Sequence, residues 1–123
     1  KYIGYGGFGN QIRDVLHIDD LCELILLQIK KLKTINNITI NVGGGNKSKV
    51  SLKELTKICE NITHNRCKIS KNPQTSNYDI PYYVSNINKV KKLYKWYPKK
   101  KINIIMKDLY NWMKINKTIL RNF

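Results

Sequence analysis

The stretch Gly4-Tyr5-Gly6-Gly7-Phe8-Gly9 constrains the fold of this chain more than any other six residues. It matches G-x-G-x-x-G, the pattern of a dinucleotide-binding turn. Such a turn needs a buried strand before the glycines and a helix that starts at them. It also needs an acidic residue about 20 positions further on. Only Lys1, Tyr2 and Ile3 precede Gly4, too few for a buried strand. The glycines lead into Asn10-Gln11-Ile12-Arg13-Asp14-Val15-Leu16-His17-Ile18, which reads as loop and then a short strand over 12–18. From Asn36 to Gly45, past the expected acidic position, there is no carboxylate. The opening glycines are therefore not a Rossmann turn. They remain a loop that a ligand could approach closely, because missing side chains remove the steric barrier.

Charge is the next constraint. The chain carries 23 basic and 8 acidic residues, a formal net charge of +15. That balance raises the reading of a lysine-rich nucleic-acid-binding module. Only Arg13, Arg66 and Arg121 are arginine, however. Base reading and bidentate phosphate clamping favour arginine over lysine. The lysines are dispersed, with Lys99-Lys100-Lys101 the densest run. The joint richness in Lys, Asn and Ile is what an AT-rich coding sequence favours. Most of the charge thus reads as decoration of solvated faces, and nucleic acid is not the expected partner.

The 123 residues suffice for one small domain with a core of its own. No apolar run reaches the roughly 18 residues of a membrane span, and no signal peptide is visible. The chain begins at Lys1 inside a loop, so a piece of a longer protein is expected. Cys22, Cys59 and Cys67 form an odd set without C-x-x-C spacing, which argues against disulfides and zinc. Cys22 and Cys59 fall on apolar helix faces and read as small buried hydrophobes. A reducing cytoplasm fits best, and no metal site is expected.

The apolar pattern alternates between strand and helix periods. After the strand at 12–18, Asp19 and Asp20 offer N-caps. Leu21, Leu24, Ile25, Gln28, Ile29 and Leu32 then form one helical stripe. Leu26 and Leu27 widen it, so this helix needs cover on two sides. Ile38 to Val42 alternates as a strand, and Gly43 to Asn46 is a turn. Ser51 and Glu54 make a capping box for a helix over 52–62 with Leu52, Leu55, Cys59 and Ile62 on one face. Cys67 to Ser70 reads as a short strand and 71–82 as a loop. Asn86 caps a short helix carrying Ile87, Val90 and Leu93. A last helix over 103–116 buries Ile105, Leu109, Trp112 and Met113. The fold class is α/β, with short strands and about four helices, and a second domain is expected to cover the first helix.

Catalytic constellations are sparse. Tyr97 with Lys101 and Tyr110 with Lys114 both match Y-x-x-x-K, a spacing that lets Lys⁺ lower a Tyr pKa on a helix face. Pro98 breaks the first pair, and the second is ordinary surface decoration. No Ser-His-Asp or H-E-x-x-H set is visible, and the Gly43 to Ser48 stretch fails the P-loop spacing. His17 reads as structural. Gln11 and Arg13 beside the pliable glycine loop suit a fixed diphosphate, although Asp14 is the obvious ion-pair partner by spacing.

Three stretches in order carry a family resemblance: Gly7 to Leu21, Ile40 to Leu55 and Asp79 to Lys100. The first reads G-x-G-x-Q-x-R-D followed by H-I-x-D-L. The second contains N-V-G-G-G and V-S-L-x-E-L, and the third ends in Trp96-Tyr97-Pro98. Over residues 2–115 the chain resembles the C-terminal third of an extended short-chain dehydrogenase/reductase. Within these NAD-dependent epimerases/dehydratases of nucleotide sugars, it most resembles the CDP-paratose (CDP-tyvelose) 2-epimerase group.

The resemblance implies that residues 1–123 are a C-terminal nucleotide-sugar-binding domain without its Rossmann half. Its partners would be a nucleotide-diphosphate sugar and an N-terminal Rossmann domain, with a homodimer as a further option and no membrane. NAD and the catalytic Tyr/Lys pair would lie upstream of Lys1, leaving no catalytic or cofactor-binding residue here, and the chain alone would be inactive. The implied reaction is transient oxidation by a Tyr phenolate and NAD⁺, followed by hydride return. A 4-epimerase or 4,6-dehydratase is the nearest rival. Residue by residue, Arg13 matches the arginine on the substrate diphosphate and Gln11 its polar neighbour. Asn41 matches the asparagine near the nucleotide. Asp79 matches the Asp of an R-P-x-D segment. Ser76 and Asn77 replace that segment's Arg-Pro, which implies either weak binding of the sugar nucleotide or a nearby lysine such as Lys71 in the arginine's place. From the charge alone, a short DNA duplex is expected to bind weakly at low salt and to be released as salt rises toward physiological levels. A salt series in fluorescence anisotropy checks this; tight binding that survives physiological salt would contradict it.

Overall fold

The structure is a computed structural model and describes residues 1–120. Arg121, counted above, lies outside the described residues. Five short strands and five helices run in the order β1 (Tyr2–Ile3), β2 (Ile12–Asp14), α1 (Ile18–Lys30), β3 (Lys49–Ser51), α2 (Leu52–Thr63), β4 (Lys71–Asn72), β5 (Tyr82–Tyr83), α3 (Asn88–Tyr94), α4 (Ile102–Ile115) and α5 (Lys117–Leu120). The α/β class and the four main helices agree with the sequence pattern; α5 is a single added turn. No described helix is long and apolar enough to cross a membrane.

β2 is the centre of a three-stranded sheet. It pairs antiparallel with β3, placing Arg13 opposite Val50, and parallel with β5, placing Arg13 beside Tyr83. β1 and β4 form a separate parallel pair. The strand expected over 12–18 is only three residues long. His17 leaves the strand to cap α1: its Nδ1 accepts from the Asp19 N–H at 3.0 Å. Asp19 and Asp20 therefore sit inside the first turn instead of capping it, where carboxylates still favour the helix dipole. The short strand expected over Cys67 to Ser70 is displaced to Lys71–Asn72, because Tyr2 and Gly4 bond to the Ser70 and Asn72 carbonyls.

A further departure is Ile38 to Val42, which forms no strand. Its alternation survives: Ile40 and Val42 pack on the core, while Thr39 and Asn41 face out. A ladder needs a neighbouring strand to accept its hydrogen bonds. Among the described residues nothing pairs with it.

The core is small. Leu24, Val90, Tyr94 and Trp96 are buried, with Leu16, Leu27, Ile35, Ile40, Val42, Ile87 and Leu93 packed around them. α3 meets α1 here. Asn86 starts α3 from one position further out than a cap, accepting the Asn88 N–H at 3.0 Å. The opposite side of α1 stays open: Ile18, Ile25, Leu26 and Ile29 are exposed, as is Leu32 in the turn that follows, and so is Cys22, which corrects its reading as a buried hydrophobe. Cys59 is half-buried. The last helix buries only Ile105. Leu109, Trp112 and Met113 are each about half-exposed, because among the described residues α4 packs mainly on α2.

Two local devices hold the frame. Asp20, buried, accepts the backbone N–H groups of Lys99 and Lys100 at 3.1 and 3.0 Å, tying the Lys99–Lys101 run to α1. Lys99 also pairs with Glu23, and Lys100 bridges Asp19 and Asp108. The hydrogen bond from Lys100 holds the Asp19 carboxyl below its usual range. The second device is the capping box. The Ser51 hydroxyl accepts the Glu54 N–H, and the Ser51 N–H and hydroxyl both donate to Glu54 Oε2 at 2.8 Å.

Those donors lower the Glu54 pKa from 4.5. A lowered folded pKa means that Glu54's share of the stability is fully present above its ordinary pKa and is lost as pH falls through the lowered value. Ser51→Ala is expected to cost about 1 kcal/mol near neutral pH, with the difference from the parent narrowing in acid. Urea unfolding at several pH values measures it; a penalty independent of pH would contradict the coupling.

Candidate functional site

Arg13 projects from the middle strand of the sheet, from the same rung as Tyr83 and Val50. Neighbours across a sheet share a face, so Arg13 and the half-exposed Tyr83 line one surface. The guanidinium donates from Nη1 to its neighbour's carbonyl, Ile12 O, at 2.8 Å, and from Nη2 to Asp79 Oδ1 at 2.9 Å. Arg13 keeps 39% of its side chain exposed and Asp79 29%, so the fork has donors open to solvent.

The partner of Arg13 is thus Asp79, 66 positions away, and not the adjacent Asp14. Successive strand residues point to opposite faces, and Asp14 is engaged on the other one. Its Oδ2 accepts the Gly45 N–H at 2.8 Å and its Oδ1 the Ser85 hydroxyl at 3.4 Å. A Cβ on Gly43 would collide with Asp14 and Ser85, and one on Gly44 with the Val15 carbonyl oxygen. The N-V-G-G-G run is therefore required by close packing against β2.

Gln11 joins the same cluster from below. It is buried, and its Nε2 donates to the Ile3 carbonyl at 2.5 Å and to Asp79 Oδ2 at 3.4 Å. The fold brings Arg13, Gln11 and Asp79 together. Asn41 is exposed and makes no hydrogen bond to them among the described residues. Lys71 places its ammonium over the Phe8 ring, 4.5 Å from the centroid. Tyr97 lies outside any helix and is half-exposed. Tyr110 and Lys114 meet on α4 in a cation–π contact at 5.5 Å.

Two site residues escaped the sequence pattern. Tyr83 is marked only by strand register, which no local spacing reveals. Tyr5 donates its phenol to the Asp79 carbonyl at 2.5 Å. Its signal was its place between two glycines, since that lets the chain turn sharply enough to aim it. The glycine stretch itself forms a single 3₁₀ turn, Tyr5–Gly7, with no α-helix starting at it. It therefore lacks the helix N-terminus that a dinucleotide pyrophosphate requires, and these residues do not fit NAD. No group of three or more metal-ligating side chains occurs among the described residues.

No family model matches the chain. It is 28% identical over 106 residues to CDP-paratose 2-epimerase of Salmonella typhi, covering 86% of this chain and 31% of that protein. It is 30% identical over 125 residues to UDP-glucuronate 4-epimerase of Thermodesulfobacterium geofontis, covering 99% and 36%. Its relatives are thus nucleotide-sugar epimerases, and its fold neighbours are NAD-dependent epimerases/dehydratases of the extended short-chain dehydrogenase/reductase type. A UDP-glucuronic acid 4-epimerase from Bacillus cereus, solved with UDP-4-deoxy-4-fluoro-glucuronic acid and NAD, shares the fold. Its TM-score is 0.76 at 22% identity, over 90% of this chain and 34% of that one. The chain spans about a third of the length of these epimerases.

Within this fold the Arg13–Asp79 pair is partly open to solvent. Pairs with this much exposure contribute about 0–1 kcal/mol. Asp79→Asn is expected to leave the thermal midpoint within a few degrees of the parent. Differential scanning calorimetry checks this, and a collapse of the transition would place the pair in the structural frame instead.

Proposed function

We propose that this chain is the nucleotide-sugar-binding part of an NAD-dependent epimerase, with a CDP-sugar 2-epimerase the reading of first choice. Arg13 holds the substrate diphosphate, Asp79 sets the angle of its guanidinium, and Gln11 supports both from the buried side. Asn41 stands on the exposed side of the Ile40–Val42 segment as a contact toward the nucleotide. The observation that carries this reading is the half-open Arg13–Asp79 pair, assembled from two remote stretches on one sheet face. An arginine fork with donors left open suits a bidentate anion.

NAD and the hydride chemistry belong to a Rossmann domain outside these residues. The exposed apolar side of α1 and the unpaired Ile38–Val42 segment support a second domain seated there. They are a helix face and a strand edge of the kind a larger sheet would cover. On this reading the chain alone turns over no substrate. It supplies binding energy remote from the reacting carbon, which a complete enzyme uses for orientation.

A UDP-sugar 4-epimerase is the second reading, favoured by the similarity to the UDP-glucuronate 4-epimerase over nearly the whole chain. A nucleic-acid module is disfavoured by the pairing of Lys99 and Lys100 with Glu23, Asp19 and Asp108, which removes the densest basic run from service.

Arg13→Ala in the full-length protein is expected to weaken nucleotide-sugar binding by about 1.5–3 kcal/mol, the range for charge-assisted hydrogen bonds. Isothermal titration with CDP- and UDP-sugars measures it and also ranks the two nucleotides. An unchanged affinity would remove Arg13 from the site.

A further inference from the structure

The glycine-rich opening is read above only as something that is not a dinucleotide turn, yet its geometry is specific. Gly4, Tyr5, Gly6, Gly7 and Gly9 all have positive φ, between 46° and 80°. Glycine adopts this region freely; a tyrosine does so at a cost. Tyr5, at φ 46°, is the one residue of the five with a side chain, and that side chain is fully used. Its N–H donates to Thr75 Oγ1 at 2.7 Å and its phenol to the Asp79 carbonyl at 2.5 Å.

Tyr5 therefore clamps both ends of the Thr75–Asp79 segment. That segment has no strand or helix of its own, and Thr75 to Tyr78 are exposed. Gln11 closes the cluster from the other side: it joins the Ile3 carbonyl to Asp79 Oδ2, while Arg13 takes Oδ1. Gly4 lies against this contact, where a Cβ would come to 3.2 Å from both Asp79 Oδ2 and Gln11 Nε2. Neither Tyr5 nor Gln11 needs to reach a ligand to matter. Gln11 is 5% exposed, and the Tyr5 hydroxyl is occupied by main chain.

We propose that Tyr5 and Gln11 are positioning residues that act through Asp79: they station its carboxylate so that the Arg13 guanidinium is held at one angle for a diphosphate. This deepens the reading of Arg13 as the diphosphate contact and rests on it.

The test is a double-mutant cycle in the full-length protein, titrated calorimetrically with CDP and UDP as probes. Tyr5→Phe deletes one oxygen and keeps the ring. It is expected to weaken the better-bound probe about three- to tenfold, the effect of one net hydrogen bond, with the melting temperature unchanged. Gln11→Leu is expected to do the same. In an Asp79→Ala background, Tyr5→Phe is expected to change affinity less than twofold, because the group it acts through is gone. Parental affinity in Tyr5→Phe overturns the inference, as does an equal loss with and without Asp79, whether or not Gln11→Leu folds. Arg13→Ala is the control that separates the two levels. If it abolishes binding while Tyr5→Phe does not weaken it, the positioning role falls and the diphosphate site stands. If Arg13→Ala binds like the parent, or the parent binds neither probe, the site reading falls and the positioning role with it.

Discussion

Asp14, at the end of β2, accepts the Gly45 N–H and the Ser85 hydroxyl and so ties two loops to the central strand of the sheet. It draws the glycine turn and the strand leading into α3 onto β2. The turn has no room for a Cβ at Gly43 or Gly44, because both are packed against β2 and the residue that follows it. With one face of β2 committed in this way, Arg13 on the other face is free to pair with Asp79. Alternation along the strand thus separates a carboxylate packed into the frame from a cation left half-open on the opposite face.

The charge follows the same logic of commitment. A net charge of +15 suggests a polyanion surface. The densest run, however, is tied down by carboxylates from α1 and α4, and its backbone by buried Asp20. Those contacts join α1 to α4 across the chain. The hydrogen bonds that Lys99 donates to Glu23 and Lys100 donates to Asp19 raise both lysine pKa values, so both stay charged where they are paired. Arg13 differs because its carboxylate partner satisfies only one side of a five-donor fork.

Much of the fold could be read locally. The capping box at Ser51 and Glu54, the stripe of α1 and the short α3 close their hydrogen bonds within four residues, so spacing reports them faithfully. The failures share a cause. Ile38 to Val42 carries a strand pattern, but a strand exists only beside another. Leu109, Trp112 and Met113 carry a core pattern, but burial needs more cover than α2 gives α4. In each case the pattern is sound, and no strand or layer among the described residues completes it.

The residues alone determined that this is an α/β chain with four main helices and that no helix starts at its opening glycines. Tertiary structure decided the partners of Arg13. Spacing pointed to Asp14; the fold delivered Asp79, with Tyr5, Gln11 and Tyr83 around it. A helix is written in contacts three and four residues apart, whereas an ion pair across 66 positions depends on where a sheet brings two strands, and no local pattern encodes that distance.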